Sequence, residues 1–295
     1  MIIDAHAHVY EILKGYGAKG EFRPLGNGMG IWSTGKVERF LPEKYGDKEF
    51  LAETLLSLMD ENGVDHSVLL QGGNYGFHNH YTAEAAAKYP ERFTAVGSLD
   101  PYSLYAMDIF DNLTDNLKMR AIKFELSTEW GLTGYHKDLR LDGQEFAPIL
   151  KKADKKSLTV VIDMGTMKMS SFDIDGLKNI VNTYKNITFV MTHCFFPCND
   201  GNNEKRLSYA RELVSDRFIF DFSNVSIEAQ SEFLKNMKKT VGAEHMMWGT
   251  DLPGTLCGFS YVQLIERVTK SDIFTPRELS LVMCGNAKRV YLENR

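Results

Sequence analysis

The chain has 295 residues, 43% hydrophobic and 25% charged, with a net charge of −5, enough for one large α/β domain or two smaller ones with a real core. That balance argues against electrostatic attachment to nucleic acid or anionic lipid, and no apolar run approaches membrane-spanning length. Cys194, Cys198, Cys257 and Cys284 are too sparse for a disulfide framework, so free, mostly packed thiols in a reducing compartment are expected.

The first predicted element, Met1-Ile-Ile-Asp-Ala-His-Ala-His-Val9, is an apolar strand carrying His6 and His8 two residues apart. Because it starts at residue 2, it leaves no room for a leader, and a cytoplasmic location is expected. Side chains alternate along a strand, which puts Asp4, His6 and His8 on one face. Two imidazoles on one buried face point to a divalent metal; the alternative is two histidines hydrogen-bonded within an ordinary strand. Residues 10–47 carry eight glycines and read as a long irregular loop. Loops of that length are often functional, and Phe22, Arg23 and Trp32 would let this one cover a site mouth, although an inert insertion fits equally.

From there helix and strand alternate. Helical spacing over 47–62 ends at Gly63, and 65–70 is a short apolar strand. A helix at 81–88 stops before Pro90 and leads to a strand at 93–98; a helix at 103–117 leads to a strand at 120–126. Asp142 and Glu145 have the spacing of a capping box opening a helix to about 156, followed by a strand at 158–164. Helices at 173–185, 203–215 and 226–240 precede strands at 187–193, 218–222 and 245–249, and helices at 259–270 and 276–292 close the chain. Eight short apolar strands separated by helices predict a parallel sheet, and eight units in this length predict an α/β fold of (β/α)8 TIM-barrel type, one domain over 1–295.

In such a barrel the site lies at the carboxyl ends of the strands. Several strands deliver polar groups there: His6 and His8, Lys123 and Glu125, Asp163, His193 and Asp251. Singly, Lys123 and Glu125 could be an internal ion pair, Asp163 a cap, His193 a satisfied core histidine and Asp251 a turn residue. Together they favour coordination, since a buried strand ending in a charge must be paired, protonated or ligated. His78-Asn-His80 repeats the His-x-His spacing but falls in a predicted loop, and Cys194 with Cys198 lacks the second pair that a structural zinc requires. His66, His136 and His245 read as structural.

The segments Ile3-Asp-Ala-His-Ala-His8, Lys88-Tyr-Pro-Glu-Arg-Phe93, Ser98-Leu-Asp-Pro101, Ala121-Ile-Lys-Phe124, Thr192-His193, Trp248-Gly-Thr-Asp-Leu-Pro253 and Gly285-Asn-Ala-Lys-Arg289 resemble those of the amidohydrolase superfamily. Within it they resemble the group of aminocarboxymuconate-semialdehyde decarboxylase, resorcylate decarboxylases and several lactonases. The resemblance implies a (β/α)8 barrel with one divalent ion, zinc or else manganese, held by His6, His8 and Asp251. A fifth-strand histidine normally joins them; here that position is Asp163, expected to coordinate in its place or to stand behind the ligands. It further implies a hydrolase acting on a small carboxylated substrate (an amide, lactone or C–C bond) through water activated by the ion. Asp251 would move the proton and His193 would polarise the carbonyl. Lys123, Arg23 or Arg206 would bind the substrate carboxylate, with Glu125 and Trp32 beside them. The same site would serve a non-oxidative decarboxylase, and a metal-free barrel that binds a small molecule is the alternative of another class. A small-molecule partner is expected, without nucleic acid or membrane; a homo-oligomer is compatible with the sequence.

Overall fold

The computed structural model describes residues 1–293. Eight parallel strands form the barrel: β1 (Ile3–Ala7), then β6 (His66–Leu69), β7 (Phe93–Ala95), β8 (Ala121–Glu125), β9 (Thr159–Asp163), β10 (Thr188–Met191), β11 (Phe218–Asp221) and β12 (Met246–Met247). β1, β6 and β7 pair in one run and β8 to β12 in another. Single parallel bridges join the runs at both seams, Gly97 to Ile122 and Ala7 to Leu252, so the ring closes. The helices alternate with these strands as α1 (Ala52–Asn62), α2 (Asn79–Lys88), α3 (Ala106–Asp111), α4 (Ala147–Lys155), α5 (Ile174–Thr183), α6 (Asn203–Leu213), α7 (Ser231–Val241), α8 (Tyr261–Thr269) and α9 (Pro276–Ser280). The expected (β/α)8 barrel is therefore the fold.

The interior is filled as small barrels require. One buried cluster takes a residue from or beside every strand, among them Ile3, Val68, Val96, Ala121, Val161, Val190, Ile219 and Met247, with Val290 and Tyr291 of the last helical segment packed on it. A larger cluster lies between the outer strand faces and the helices, to which α7 contributes Phe233, Leu234, Met237 and Val241 at helical spacing. No helix among the described residues is long and apolar enough to cross a membrane.

Five local expectations change. The pairing of β1 shifts between Asp4 and Ala7; Ile3 and Ala5 join the interior cluster whereas Ala7 joins the outer one. This irregularity breaks strict alternation, so Asp4 turns to Tyr261 of α8 and to Thr250 while His6 and His8 face inward. The glycine-rich stretch is an antiparallel sheet of β2 (Gly15–Gly17), β3 (Gly20–Gly26), β4 (Met29–Trp32) and β5 (Val37–Arg39). Gly26 and Gly28, at φ 107° and 67°, allow the two-residue turn between β3 and β4, and a Cβ at Gly30 would lie 2.5 Å from the Phe22 ring. Asp142 does not cap α4, which begins five residues later at Ala147; its carboxylate instead accepts from Arg140 and Asn179. His80 lies in α2 and His78 immediately precedes it, buried, its Nε2 3.1 Å from the Tyr75 carbonyl. The four thiols are free, but Cys198 and Cys257 are exposed rather than packed.

Candidate metal centre

His6 and His8 leave β1 at the carboxyl end of the barrel, both buried. His6 Nδ1 lies 2.6 Å from Asp221 Oδ2 and 2.9 Å from Ser223 Oγ. The carboxylate fixes the proton on Nδ1 and leaves Nε2 as a lone pair. That Nε2 is buried without a hydrogen-bond partner and lies 3.5 Å from Asp251 Oδ1. His8 Nδ1 lies 3.0 Å from the Leu70 carbonyl, an acceptor only, so its Nε2 is also a lone pair, 3.1 Å from the same Asp251 oxygen. Among the described residues His6, His8 and Asp251 form a group whose ligand atoms lie within 4.8 Å of one another.

Their charge states leave a cation wanting. Burial, then the Lys123 charge, hold His6 well below the ordinary histidine range; burial also lowers His8, against the pull of Asp251. Burial would raise Asp251, but its 3.1 Å contact with His8 and the charge of His193 hold it well below the usual carboxylate range. Neutral imidazoles thus turn two lone pairs on an ionised carboxylate, an arrangement that a divalent ion satisfies.

Asp163 stands outside this group. Its Oδ1 accepts from the Gly165 amide at 2.8 Å and its Oδ2 lies 3.2 Å from His193 Nε2. The His193 Nδ1 donates to the Ser223 carbonyl at 2.8 Å. Burial would lower His193, but Asp163 outweighs it and raises the pKa to about 9; burial would likewise raise Asp163, which His193 and Lys123 hold far below its ordinary value. The fifth-strand aspartate therefore makes an imidazolium of the sixth-strand histidine, whose ring lies 5.0 Å from that of His6. Lys123 and Glu125 point inward from β8, with Nζ 3.5 Å from Glu125 Oε2. Burial and the Asp163 charge push Glu125 up to about 8, against the Lys123 charge and the Ser127 bond.

These groups line one cavity of about 310 Å³, closed by Asn74, Tyr75, Trp130, Phe196, Asn224 and Thr255. Of the residues expected at the site, His8, Lys123, Glu125, Asp163, His193 and Asp251 line it, and His6 meets it through Asp251. Arg23 does not: it is exposed on β3. Trp32 is buried against Phe22, rings 4.4 Å apart, and donates to Glu38. Arg206 is locked to Asp200 by two bonds of 2.8 and 2.9 Å. The antiparallel sheet contributes no lining residue but braces the rim, Tyr16 donating to the Gly73 carbonyl and Ala18 to that of Glu129.

Sequence reasoning passed over Asp221, Ser223 and Asn224. Asp221 ends the seventh strand as Asp163 ends the fifth, and that signal was present. Ser223 and Asn224 follow the strand with no recognisable pattern; Asn224 donates to Asp251 Oδ2 at 2.9 Å.

The family model for amidohydrolases matches residues 3–292. Among solved structures, the chain resembles an amidohydrolase from Burkholderia multivorans with bound zinc (TM-score 0.71, 16% identity, 99% of each chain). It also resembles a probable 2-pyrone-4,6-dicarboxylic acid hydrolase from Acinetobacter baumannii with citric acid bound (0.68, 16%, 98% of each). A third similar structure is 5-carboxyvanillate decarboxylase from Sphingomonas paucimobilis (0.57, 17%, 80% of this chain and 81% of that one). No curated protein matches the sequence.

Proposed function

The chain belongs to the amidohydrolase family, and from that premise we propose that it is a metal-dependent hydrolase of a small carboxylated substrate, an amide, lactone or C–C bond. His6, His8 and Asp251 would hold one divalent ion, zinc or manganese. The observation that carries this reading is the buried, unpartnered Nε2 of His6 beside a His8 lone pair that faces the Asp251 carboxylate at 3.1 Å. A burial this complete leaves a polar atom unsatisfied only at a cost of about 1–3 kcal/mol, which a ligated ion removes. A zinc-bound structure among the similar ones supports the same ligand chemistry.

When bound, such an ion polarises a substrate carbonyl and lowers the pKa of water towards neutrality. The remaining work falls to the side chains. Asp251, ionised and partly open to the cavity, takes the proton of the attacking water and passes it to the leaving group. The His193 imidazolium, held between Asp163 and the Ser223 carbonyl, stabilises negative charge that develops on the substrate oxygen. Asn224 fixes the second carboxylate oxygen of Asp251 and so its orientation.

A second reading, non-oxidative decarboxylation, gains support from the two acids protonated at neutral pH beside the cavity, His193 and Glu125, because protonation at carbon needs a donor. The test is metal analysis of the purified protein followed by turnover of lactone, amide and aryl carboxylate panels, with newly formed carboxylate product read against carbon dioxide release. About one ion per chain and hydrolysis lost on chelation are expected, with Asp251→Asn folded but nearly inactive. Turnover by an ion-free protein would overturn the metal reading.

A further inference from the structure

The cavity does not end at the candidate metal ligands. Asn224 and Thr255, which close it, also line a second space of about 110 Å³ beyond them. The walls of that groove include Phe222, Val225, Ile227, Trp248, Leu264 and Val268, all buried. The left-handed turn at Asn224, φ 53°, sets the division: Asn224 donates to Asp251 Oδ2 on the cavity side, while Val225 and Ile227 line the groove. Gly249 is also in its wall, and a Cβ there would lie 2.6 Å from His6 Cβ. The groove therefore runs against the strand that carries the candidate ligands.

At its outer end the groove passes Phe259, 41% exposed, and Arg267. It shares both with an open hollow beside α8, lined by Glu228, Gln263, Glu266 and Lys270. A continuous, mostly apolar track thus leads from the candidate metal site to the surface. Arg267 is the one charged residue in the groove wall among the described residues, and its charge is already matched. Its Nε donates to both Glu228 oxygens, at 2.8 and 3.0 Å, with the guanidinium carbon 4.1 Å over the Phe259 ring. A charged group would find no free partner here. Protein interiors are close-packed, so apolar walls around an unfilled space forgo dispersion contacts that an apolar occupant restores. A cavity of about 150 Å³ takes a benzene ring; this smaller one suits a short chain instead.

We infer that this groove is a second subsite, which takes a short, uncharged aliphatic arm of a substrate whose reacting group sits beside His6, His8 and Asp251. The inference rests on the proposed function, which places a substrate in the cavity, and adds the arm to that substrate's chemistry. The arm enters between Asn224 and Thr255, lies against Phe222, Trp248 and Leu264, and reaches solvent past Phe259. Methylene groups beyond that point emerge into water and add little.

The three tryptophans of the chain report on the two spaces separately: Trp248 lines the groove, Trp130 lines the main cavity, and Trp32 lines neither. The full chain is labelled with 5-fluorotryptophan, its ¹⁹F signals are assigned with Trp32→Phe and Trp130→Phe, and it is titrated with acetate, butyrate and hexanoate. Affinity should rise about fourfold per added methylene between butyrate and hexanoate. Hexanoate should shift the Trp248 signal, which acetate leaves in place, and Trp32 should not respond. Ser226→Phe, which fills the groove from an exposed position, should flatten the chain-length gain and leave acetate affinity unchanged. Equal affinity for butyrate and hexanoate, or no measurable hexanoate binding, overturns the subsite. So does a Trp248 signal that moves equally with acetate and hexanoate or with neither, and so does a gain that survives in folded Ser226→Phe. Should that variant fail to fold, the Trp248 signal of the wild type decides. Binding is read without turnover, so a protein that passes these tests and hydrolyses nothing counts against the proposed function and leaves the groove standing.

Discussion

Replacing Asp221 with asparagine changes one buried oxygen to an amide and should weaken metal binding without unfolding the barrel. Both carboxylate oxygens of Asp221 accept: Oδ1 from the Ser223 amide at 2.7 Å and Oδ2 from His6 Nδ1 at 2.6 Å. An asparagine offers one acceptor and one donor, so either the Ser223 N–H or the His6 Nδ1–H must face an NH₂ group. The cheaper escape is for His6 to move its proton to Nε2, which removes the lone pair aimed at Asp251. Losing an outer partner of this kind typically costs 10- to 100-fold in metal affinity, equivalent to roughly 1.4–2.7 kcal/mol. Zinc competition against a chromophoric chelator measures it directly, with the melting temperature of the metal-free protein as control. Ser223→Ala, which keeps the carboxylate, should lose less. A zinc affinity within twofold of wild type in a folded Asp221→Asn protein would show that Asp221 does not set the His6 tautomer.

Asp163→Ala should leave zinc stoichiometry at one per chain while the His193 pKa, followed by its ring proton NMR shift, falls from about 9; loss of the ion would make Asp163 a ligand after all. Glu125 is expected to impose a pH slope on stability. Its native pKa of about 8 exceeds the ordinary 4.5 because of burial and Asp163, with Lys123, Ser127 and His193 opposing. The native state therefore binds more protons than the unfolded one between those values, and stability falls as pH rises through that window. Urea midpoints of wild type should drop relative to Glu125→Gln from pH 5 to pH 8, and parallel curves would refute it. Arg206→Met should destabilise by about 3–5 kcal/mol, since it strands Asp200 and frees the Phe195 carbonyl; an unchanged urea midpoint would contradict this.

The barrel was legible because each strand is a short apolar run and each intervening helix keeps a 3.6-residue spacing, signals that burial on both faces of a parallel sheet enforces. The candidate group of His6, His8 and Asp251 was legible for the same reason: a histidine or aspartate ending such a run has nowhere to go but the mouth. What stayed hidden depends on contacts far apart in sequence. The alternation of Phe22 with Trp32 identifies a hairpin only once the two rings stack, and the glycines between them look like disorder until Gly30 is seen under the Phe22 ring. Arg23 and Arg206 were plausible anion ligands by charge alone, whereas exposure on β3 disposes of one and Asp200 consumes the other. Asp163 shows what a local rule leaves out: the position matches a ligand, while the side chain lies 3.2 Å from His193 Nε2 and outside the candidate group of His6, His8 and Asp251.

The backbone around the cavity follows from where the strands stop. His193 to Phe196 form a run of four non-glycine residues at φ 47–62°, and Asn224 and Asp251 sit at 53° and 60° after the next two strands. Left-handed backbone costs roughly 1–2 kcal/mol per such residue, so these turns persist only where the surroundings over-determine them. The surroundings are on hand: Phe195 is buried, its carbonyl takes the Arg206 Nε at 3.0 Å, and Asp251 donates its amide to the His6 carbonyl at 2.7 Å. Each turn folds the chain back over its own strand end, bringing His193, Asn224 and Asp251 side by side on the cavity wall. A right-handed or extended continuation would carry the same side chains towards the helices. The Arg206–Asp200 pair, though remote from the cavity, thus contributes to the site by holding the His193 turn in a conformation the isolated segment would not adopt.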